Sequence, residues 1–253
     1  MKRISSGIKG LDPLTGGGFL EGHSVLICGA PGTGKTIFAL QFLYNGITED
    51  NENGLYVNIE DNPEKLKYYA HQFGWDLDKL QKEKKLDFLT IPIDWKGFKI
   101  VDAILERAKQ IKAKRIVIDS LSAISINAKM FDLPLKNQPD PTGTIKNKIL
   151  KTAGYVPFED VQRFTYLFVN RIADFGATNL FLTDTDGPES ITRDGVSEYV
   201  CDGVILLQLN DTSKNVSRTL LVKKMRGSSI IPGMNSLKFT SSGLEVGEFK
   251  AFY

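Results

Sequence analysis

Gly29-Ala30-Pro31-Gly32-Thr33-Gly34-Lys35-Thr36 carries the spacing G-x-x-x-x-G-K-[ST] of a phosphate-binding loop. Both flanks suit it. Ser24-Val25-Leu26-Ile27-Cys28 is a short apolar run that reads as a buried strand, and Ile37-Phe38-Ala39-Leu40-Gln41-Phe42-Leu43 reads as a helix. Glycines let such a loop curl so that backbone N–H groups of Gly29 to Thr36 converge on phosphate oxygens. The helix that follows adds the positive end of its dipole. Lys35 is expected to reach the β- and γ-phosphates of ATP, and the Thr36 hydroxyl to ligate Mg²⁺.

The chain of 253 residues suits one large α/β domain and has room for two small ones, and 42% hydrophobic with 10% aromatic residues suffices for a sizeable core. A formal net charge of +2 argues against a surface built wholly for nucleic acid or membrane, although a local patch is compatible with it. Cys28 and Cys201 form no C-x-x-C, and with only His23 and His71 beside them no zinc site assembles from Cys and His. No run of about 18 apolar residues exists and the N-terminus lacks an apolar signal core, so the sequence reads as soluble and cytoplasmic, with no membrane partner.

Beyond the loop, strands and helices alternate. Gly54 to Ile59, Leu86 to Ile91, Arg115 to Ile118 and Asn179 to Thr183 read as strands, and Val101 to Ile111 and the run through Val161, Phe164, Phe168, Ile172 and Phe175 as helices. Asp61 or Asn62 can cap a helix with Pro63 at its first position and Gly74 just past its end. This rhythm predicts a mostly parallel central sheet with helices on both faces. Val204 to Leu209, Thr219 to Met225 and Leu237 to Thr240 follow without helices between them, which predicts an antiparallel C-terminal extension of the same sheet. The whole, 1–253, reads as one domain interrupted at about 127–157, where four prolines and Lys129, Lys136, Lys146, Lys148 and Lys151 accumulate. That stretch is either a functional insertion or a solvated excursion.

Asp119 ends an apolar strand and precedes Ser120-Leu121-Ser122. Beside a phosphate loop such an acid is placed to hold Mg²⁺ through water, and otherwise it caps a turn. Glu60-Asp61 stand at the carboxyl end of a central strand, where the ligand crevice of an open α/β sheet lies. One can polarise an attacking water and the other tune it, and Asp61 can cap the next helix at the same time. Lys224 and Arg226 share one face of a predicted strand; spacing alone favours ordinary solvated charges there.

Taken together these segments resemble the KaiC-like ATPases of the RecA superfamily. The resemblance is carried by Ser6 to Gly22 running into the phosphate loop, and by Tyr56 to Pro63, Phe73-Gly74-Trp75-Asp76-Leu77, Val117 to Ser122 and Lys224-Met225-Arg226-Gly227, in the family's order. It implies a RecA-like core, an ATPase activity, and assembly of the chain with itself into a ring, a hexamer, holding ATP between subunits. It makes Glu60 the catalytic glutamate and turns Lys224 and Arg226 into cations that reach the γ-phosphate of the neighbouring subunit, a role worth about 10³–10⁵ in phosphoryl-transfer rate. It also puts Tyr199 and the segment Phe239-Thr240-Ser241-Ser242-Gly243 near the neighbour's adenosine.

The sequence departs from the family after Leu182-Thr183. Asp184-Thr185-Asp186-Gly187-Pro188 stands where a Thr-Thr-Glu stretch is frequent, and extra aspartates near phosphates are unfavourable unless Mg²⁺ screens them or they turn away. No phosphosite segment matches, so autokinase activity is not implied. Two other functions compete. A DNA-binding recombinase or recombination mediator would use the lysine-bearing stretch from Asn127 as its DNA loop. A non-hydrolysing nucleotide sensor read by a protein partner would have no use for Glu60 or the Lys224/Arg226 pair.

Overall fold

The computed structural model describes residues 1–59, 62–92, 99–126, 158–185, 191–212 and 215–248. Its strands, in chain order, are β1 Arg3–Ile4, β2 Phe19–Leu20, β3 Ser24–Gly29, β4 Gly54–Asn58, β5 Leu86–Thr90, β6 Arg115–Asp119, β7 Thr178–Thr183, β8 Gly203–Thr212, β9 Asn215–Met225, β10 Met234–Thr240 and β11 Gly243–Glu248. The helices are α1 Lys35–Thr48, α2 Pro63–His71, α3 Leu77–Lys82, α4 Lys99–Gln110, α5 Leu121–Ile126, α6 Phe158–Ala173 and α7 Ser197–Val200.

Nine strands make one sheet in the order β11-β10-β9-β8-β3-β7-β6-β4-β5. From β8 to β5 every neighbouring pair is parallel, and from β8 to β11 every pair is antiparallel. The expected fold class is therefore the observed one: a mostly parallel α/β sheet with an antiparallel C-terminal extension. β3 lies inside the sheet between β7 and β8, so the loop that follows it opens at the carboxyl ends of three parallel strands.

Alternation along the strands sends side chains to two cores. Val25, Ile27, Tyr56, Val117, Leu180 and Leu182 pack under α1, α2 and α3, where Phe38, Phe42, Leu66, Ala70, Leu77 and Leu80 meet them. Leu26, Cys28, Leu55, Val57, Ile116, Ile118 and Phe181 face the other way, against Ile100, Ile104, Ala108, Phe164, Phe168 and Ile172 of α4 and α6. Each large apolar side chain buried this way stabilises the fold by about 1.5–3 kcal/mol. Burial on both faces explains why the central strands read as continuous apolar runs.

Three local features refine the sequence reading. Asn62, rather than Asp61, caps α2: its side chain accepts from Glu64 N–H at 3.0 Å, with Pro63 at the first helical position. The chain leaves α2 through Gly74 at φ +76. The C-terminal extension goes one strand further than expected, because Leu244 and Val246 turn inward while Glu248 stays exposed along β11. The expected insertion at 127–157 lies outside the described residues.

Candidate nucleotide site

Gly29 closes β3 and Gly34 caps α1 from the left-handed region at φ +108. Gly32 also has a positive φ, +80, and a Cβ there would meet nothing within 4 Å, so its surface faces open space. At Gly29 a Cβ would lie 2.6 Å from both Leu207 O and Thr33 Oγ1. The turn is braced from within, since Thr33 Oγ1 donates to Ala30 O at 2.8 Å. The result is a backbone cradle at the amino end of a 14-residue helix, the arrangement suited to a polyphosphate.

Lys35 Nζ lies inside this cradle. It donates to Gly29 O at 2.7 Å and Ala30 O at 3.2 Å, and pairs with Asp184 Oδ1 at 2.9 Å. Thr36 Oγ1 donates to Asp119 Oδ2 at 3.4 Å, and Tyr56 Oη donates to the same carboxylate oxygen at 2.5 Å. Parallel pairing of β4 with β6 sets Asn58 opposite Asp119 and brings the two strand ends together. A hydroxyl and a carboxylate are hard oxygen donors, and Mg²⁺ is usually held by one or two carboxylates plus substrate phosphates. Thr36 and Asp119 fit that role. Among the described residues no group of three or more His, Cys, Asp or Glu side chains gathers as a metal site.

Ser122 and Thr183 link the segment after Asp119 to Asp184. Their hydroxyls lie 3.1 Å apart, and Asp184 N–H donates to Ser122 Oγ at 2.7 Å. Beneath the loop sits an aromatic row. A Cβ on Gly34 would come within 3.1 Å of Phe239 Cζ; Phe239 stacks on Phe73 at 6.3 Å, and Phe73 on Trp75 at 4.9 Å. Arg218 lies over Phe239 at 4.9 Å and donates to Gly32 O at 3.2 Å. Thr240 and Ser241 follow directly in the β10–β11 turn, where Thr240 Oγ1 donates to Gly243 O at 2.9 Å. The resemblance puts this turn near a neighbour's adenosine; within the chain, Phe239 packs against Gly34 of the loop.

Lys224, Arg226 and Tyr199 form a separate group. Lys224 Nζ donates to Glu198 O, Tyr199 O and Cys201 O at 3.0, 3.2 and 2.6 Å, and Arg226 Nη2 to Tyr199 O at 3.0 Å. These carbonyls end the short α7, where cations are favoured. Asp202 accompanies Arg226 at 3.6 Å. Burial, followed by the Arg226 charge, lowers the Lys224 pKa. The register shows where the group sits: Val204 pairs with Lys224 at the amino end of β8, whereas Leu207 pairs with Gly29 and Leu220. Four positions of strand, roughly 13 Å, separate Lys224 from the cradle's row. The backbone of Lys224 therefore lies level with Leu26 near the amino end of β3, and the cradle opens at the carboxyl end of that strand.

Glu60, Asp61 and Asp186 lie outside the described residues. Tyr56 and Arg218 were not among the expected site residues, and Phe239 was expected only as part of the segment near the adenosine. Tyr56 looks like any core aromatic in the sequence, and Arg218 and Phe239 reach the loop only through strand register.

The chain is similar to known proteins along most of its length. The family model "ATPase: KaiC" matches residues 4–132 and 157–251, leaving out 133–156. The circadian clock oscillator protein KaiC of Synechococcus elongatus is 32% identical over 251 residues, which cover 94% of this chain and 43% of that protein. The chain thus spans about two fifths of that relative's length. UPF0273 protein MJ1359 of Methanocaldococcus jannaschii is 30% identical, with 97% of this chain and 96% of that one covered. The crystal structure of the KaiC-like protein PH0186 from Pyrococcus horikoshii superposes with a TM-score of 0.78 at 29% identity, covering 97% of this chain and 98% of that one.

Proposed function

This chain belongs to the KaiC family of ATPases, and from that premise we propose that it hydrolyses ATP with Mg²⁺ as a ring of identical subunits, a hexamer, with each nucleotide between two of them. One observation supports this reading above the others. The backbone of Lys224 is set back from the row of the phosphate cradle by about four strand positions, roughly 13 Å, towards the amino end of β3. Within a chain they do not meet, and a head-to-tail contact between copies, repeated until it closes, brings them together.

The roles follow from position. Backbone N–H groups of Gly29, Ala30, Pro31's successors Gly32 to Gly34, and the first turn of α1 surround the phosphates, and Lys35 binds them. Thr36 and Asp119 hold Mg²⁺, which when bound neutralises charge on the phosphates. Glu60, following the strand beside Asp119, takes the proton of the attacking water, and Asp61 raises its basicity by like-charge repulsion. Thr240 and Ser241 contact the adenosine carried by their own chain, and Tyr199 contacts that of the neighbour. Lys224 and Arg226 leave the carbonyls of α7 to meet the neighbour's γ-phosphate.

No helix among the described residues is long and apolar enough to cross a membrane. Cys28 and Cys201 are buried free thiols with raised pKa values, chiefly through burial. The buried free thiols suit a reducing, cytoplasmic setting. The recombinase reading depends on the stretch from Asn127, and nothing among the described residues favours it.

The deciding experiment pairs phosphate release with size measurement. Wild type should release phosphate from ATP with magnesium and run as a ring. Glu60→Gln should keep ATP and the ring while turnover falls by about 10²–10⁴. Turnover at the wild-type rate removes Glu60 from the mechanism, and a fully active monomer removes the ring.

A further inference from the structure

Asp184 does something the hydrolysis reading does not use: it occupies the phosphate-binding lysine. Its Oδ1 lies 2.9 Å from Lys35 Nζ, with side chains 30% and 12% exposed respectively. Partial burial on both sides makes this contact stronger than a solvated pair. A lysine ammonium has three donors. Gly29 O, Ala30 O and Asp184 Oδ1 are three acceptors around Nζ, and only the last carries a charge. An arriving phosphate oxygen must therefore displace one of them.

The carboxylate is also held close to where the phosphate goes. Asp184 N–H donates to Ser122 Oγ at 2.7 Å, Ser122 lies 3.1 Å from Thr183 Oγ1, and both hydroxyl residues are buried. Thr183 itself pairs with Cys28, one residue before the loop. The side chain can rotate off Lys35, but its backbone keeps a negative charge beside the cradle.

Resting on the nucleotide-binding reading above, the geometry points to Asp184 as the residue that makes this site discriminate metal-complexed ATP from metal-free ATP. Metal-free ATP must take Lys35 from a carboxylate and then remain next to it with its full polyphosphate charge. ATP that carries Mg²⁺ would arrive with part of that charge neutralised, so the Asp184 carboxylate would repel it less. Asp184 therefore weakens the first far more than the second.

The test is a set of calorimetric titrations of the purified chain with ATP, once in excess magnesium and once in EDTA, for wild type, Asp184→Asn and Asp184→Ser. Both variants remove the charge and keep the backbone bond to Ser122, and retained MgATP binding reports that each has folded. Metal-free ATP should bind both variants about tenfold or more tighter than wild type, while MgATP affinity changes by less than about threefold. An unchanged metal-free affinity, with wild type still binding MgATP, overturns the role of Asp184 alone. Equal tightening of both forms overturns the discrimination as well, leaving a plain competitor. Wild type that binds neither form overturns the nucleotide reading and this inference with it.

Discussion

Tyr56 aims its hydroxyl at Asp119: Oη lies 2.5 Å from Oδ2, the oxygen that also lies 3.4 Å from Thr36 Oγ1. A fully buried aromatic of β4 thus fixes the carboxylate at the end of β6. Groups that orient a ligand residue of a metal typically change affinity by about 10–100-fold when removed. Tyr56→Phe keeps the ring, which packs on Phe88 at 5.9 Å, and loses only the hydroxyl. The magnesium concentration for half-maximal nucleotide binding should rise about tenfold, with stability falling by about 1–2 kcal/mol. Binding titrations against magnesium check this; an unchanged midpoint would show that Asp119 needs no such support.

Gly46→Ala should destabilise the chain although alanine is the better helix former by about 1 kcal/mol. The last turn of α1 lies over Arg115, and a Cβ at Gly46 would come 2.1 Å from Arg115 Nε. Arg115 cannot yield cheaply. It is fully buried, pairs with Asp50 at 2.6 Å and Glu52 at 2.8 Å, and lies 4.6 Å over Phe42. Disturbing a buried charge held this way costs about 3–5 kcal/mol. Denaturant unfolding should show a net loss of about 2–4 kcal/mol. Nucleotide affinity of the folded variant should be unchanged, since Arg115 begins β6 and Asp119 ends it. A stabilised variant would mean that Arg115 moves aside freely.

The phosphate loop and Asp119 were legible because their signals are local: glycine spacing, a flanking apolar strand, an acid at a strand end. The alternation of strands and helices was legible for the same reason. What escaped was short or long-range. β1 and β2 have two residues each and α3 has six, too few to display a period. β11 hides because its turn is only two residues and its inward side chains, Leu244 and Val246, are few. The place of Thr240 and Ser241 beside their own loop follows from Phe239 meeting Gly34, about 200 residues away in sequence, and no local pattern encodes that contact.

Lys35→Ala and Arg226→Ala should each lack turnover alone and recover it when mixed. In the proposed ring an active site takes its loop from one copy and its cations from the neighbour, because Arg226 is set back along the sheet from the cradle of its own chain. Random mixed rings contain such pairs at roughly a quarter of their interfaces. Phosphate release of a mixture after subunit exchange checks this. A mixture as inactive as its parts would return Lys224 and Arg226 to a structural role at the end of α7.

The lowered pKa of Lys224 gives that group a signature in alkaline stability. Burial and the Arg226 charge hold its folded value below the ordinary 10.5. Between the two values the unfolded chain binds a proton that the folded chain has released, so stability contributed by this group rises with pH across the window. Below the folded pKa the penalty for keeping the ammonium charged is fully present; above 10.5 it is gone. Compared with Lys224→Met, wild type should gain stability on going from neutral pH to 10.5. Denaturation of both across that range measures the difference, and a difference that stays flat or reverses sign would contradict the assignment.

Gly34→Ala separates two demands placed on one residue. Gly34 caps α1 at φ +108, where a side chain is strained by about 1–3 kcal/mol. Its Cβ would also lie 3.1 Å from Phe239 Cζ, a contact tighter than ordinary packing. The single variant should lose about 2 kcal/mol or more of stability and at least about tenfold in nucleotide affinity, because the cradle's N–H groups turn with the backbone. Phe239→Leu shortens the facing side chain and removes the collision while leaving φ as it was. The double variant should therefore regain part of the stability and little of the affinity. Full recovery of both in the double variant would mean that Phe239 alone demands glycine here, and that the left-handed backbone at Gly34 is not what shapes the phosphate seat.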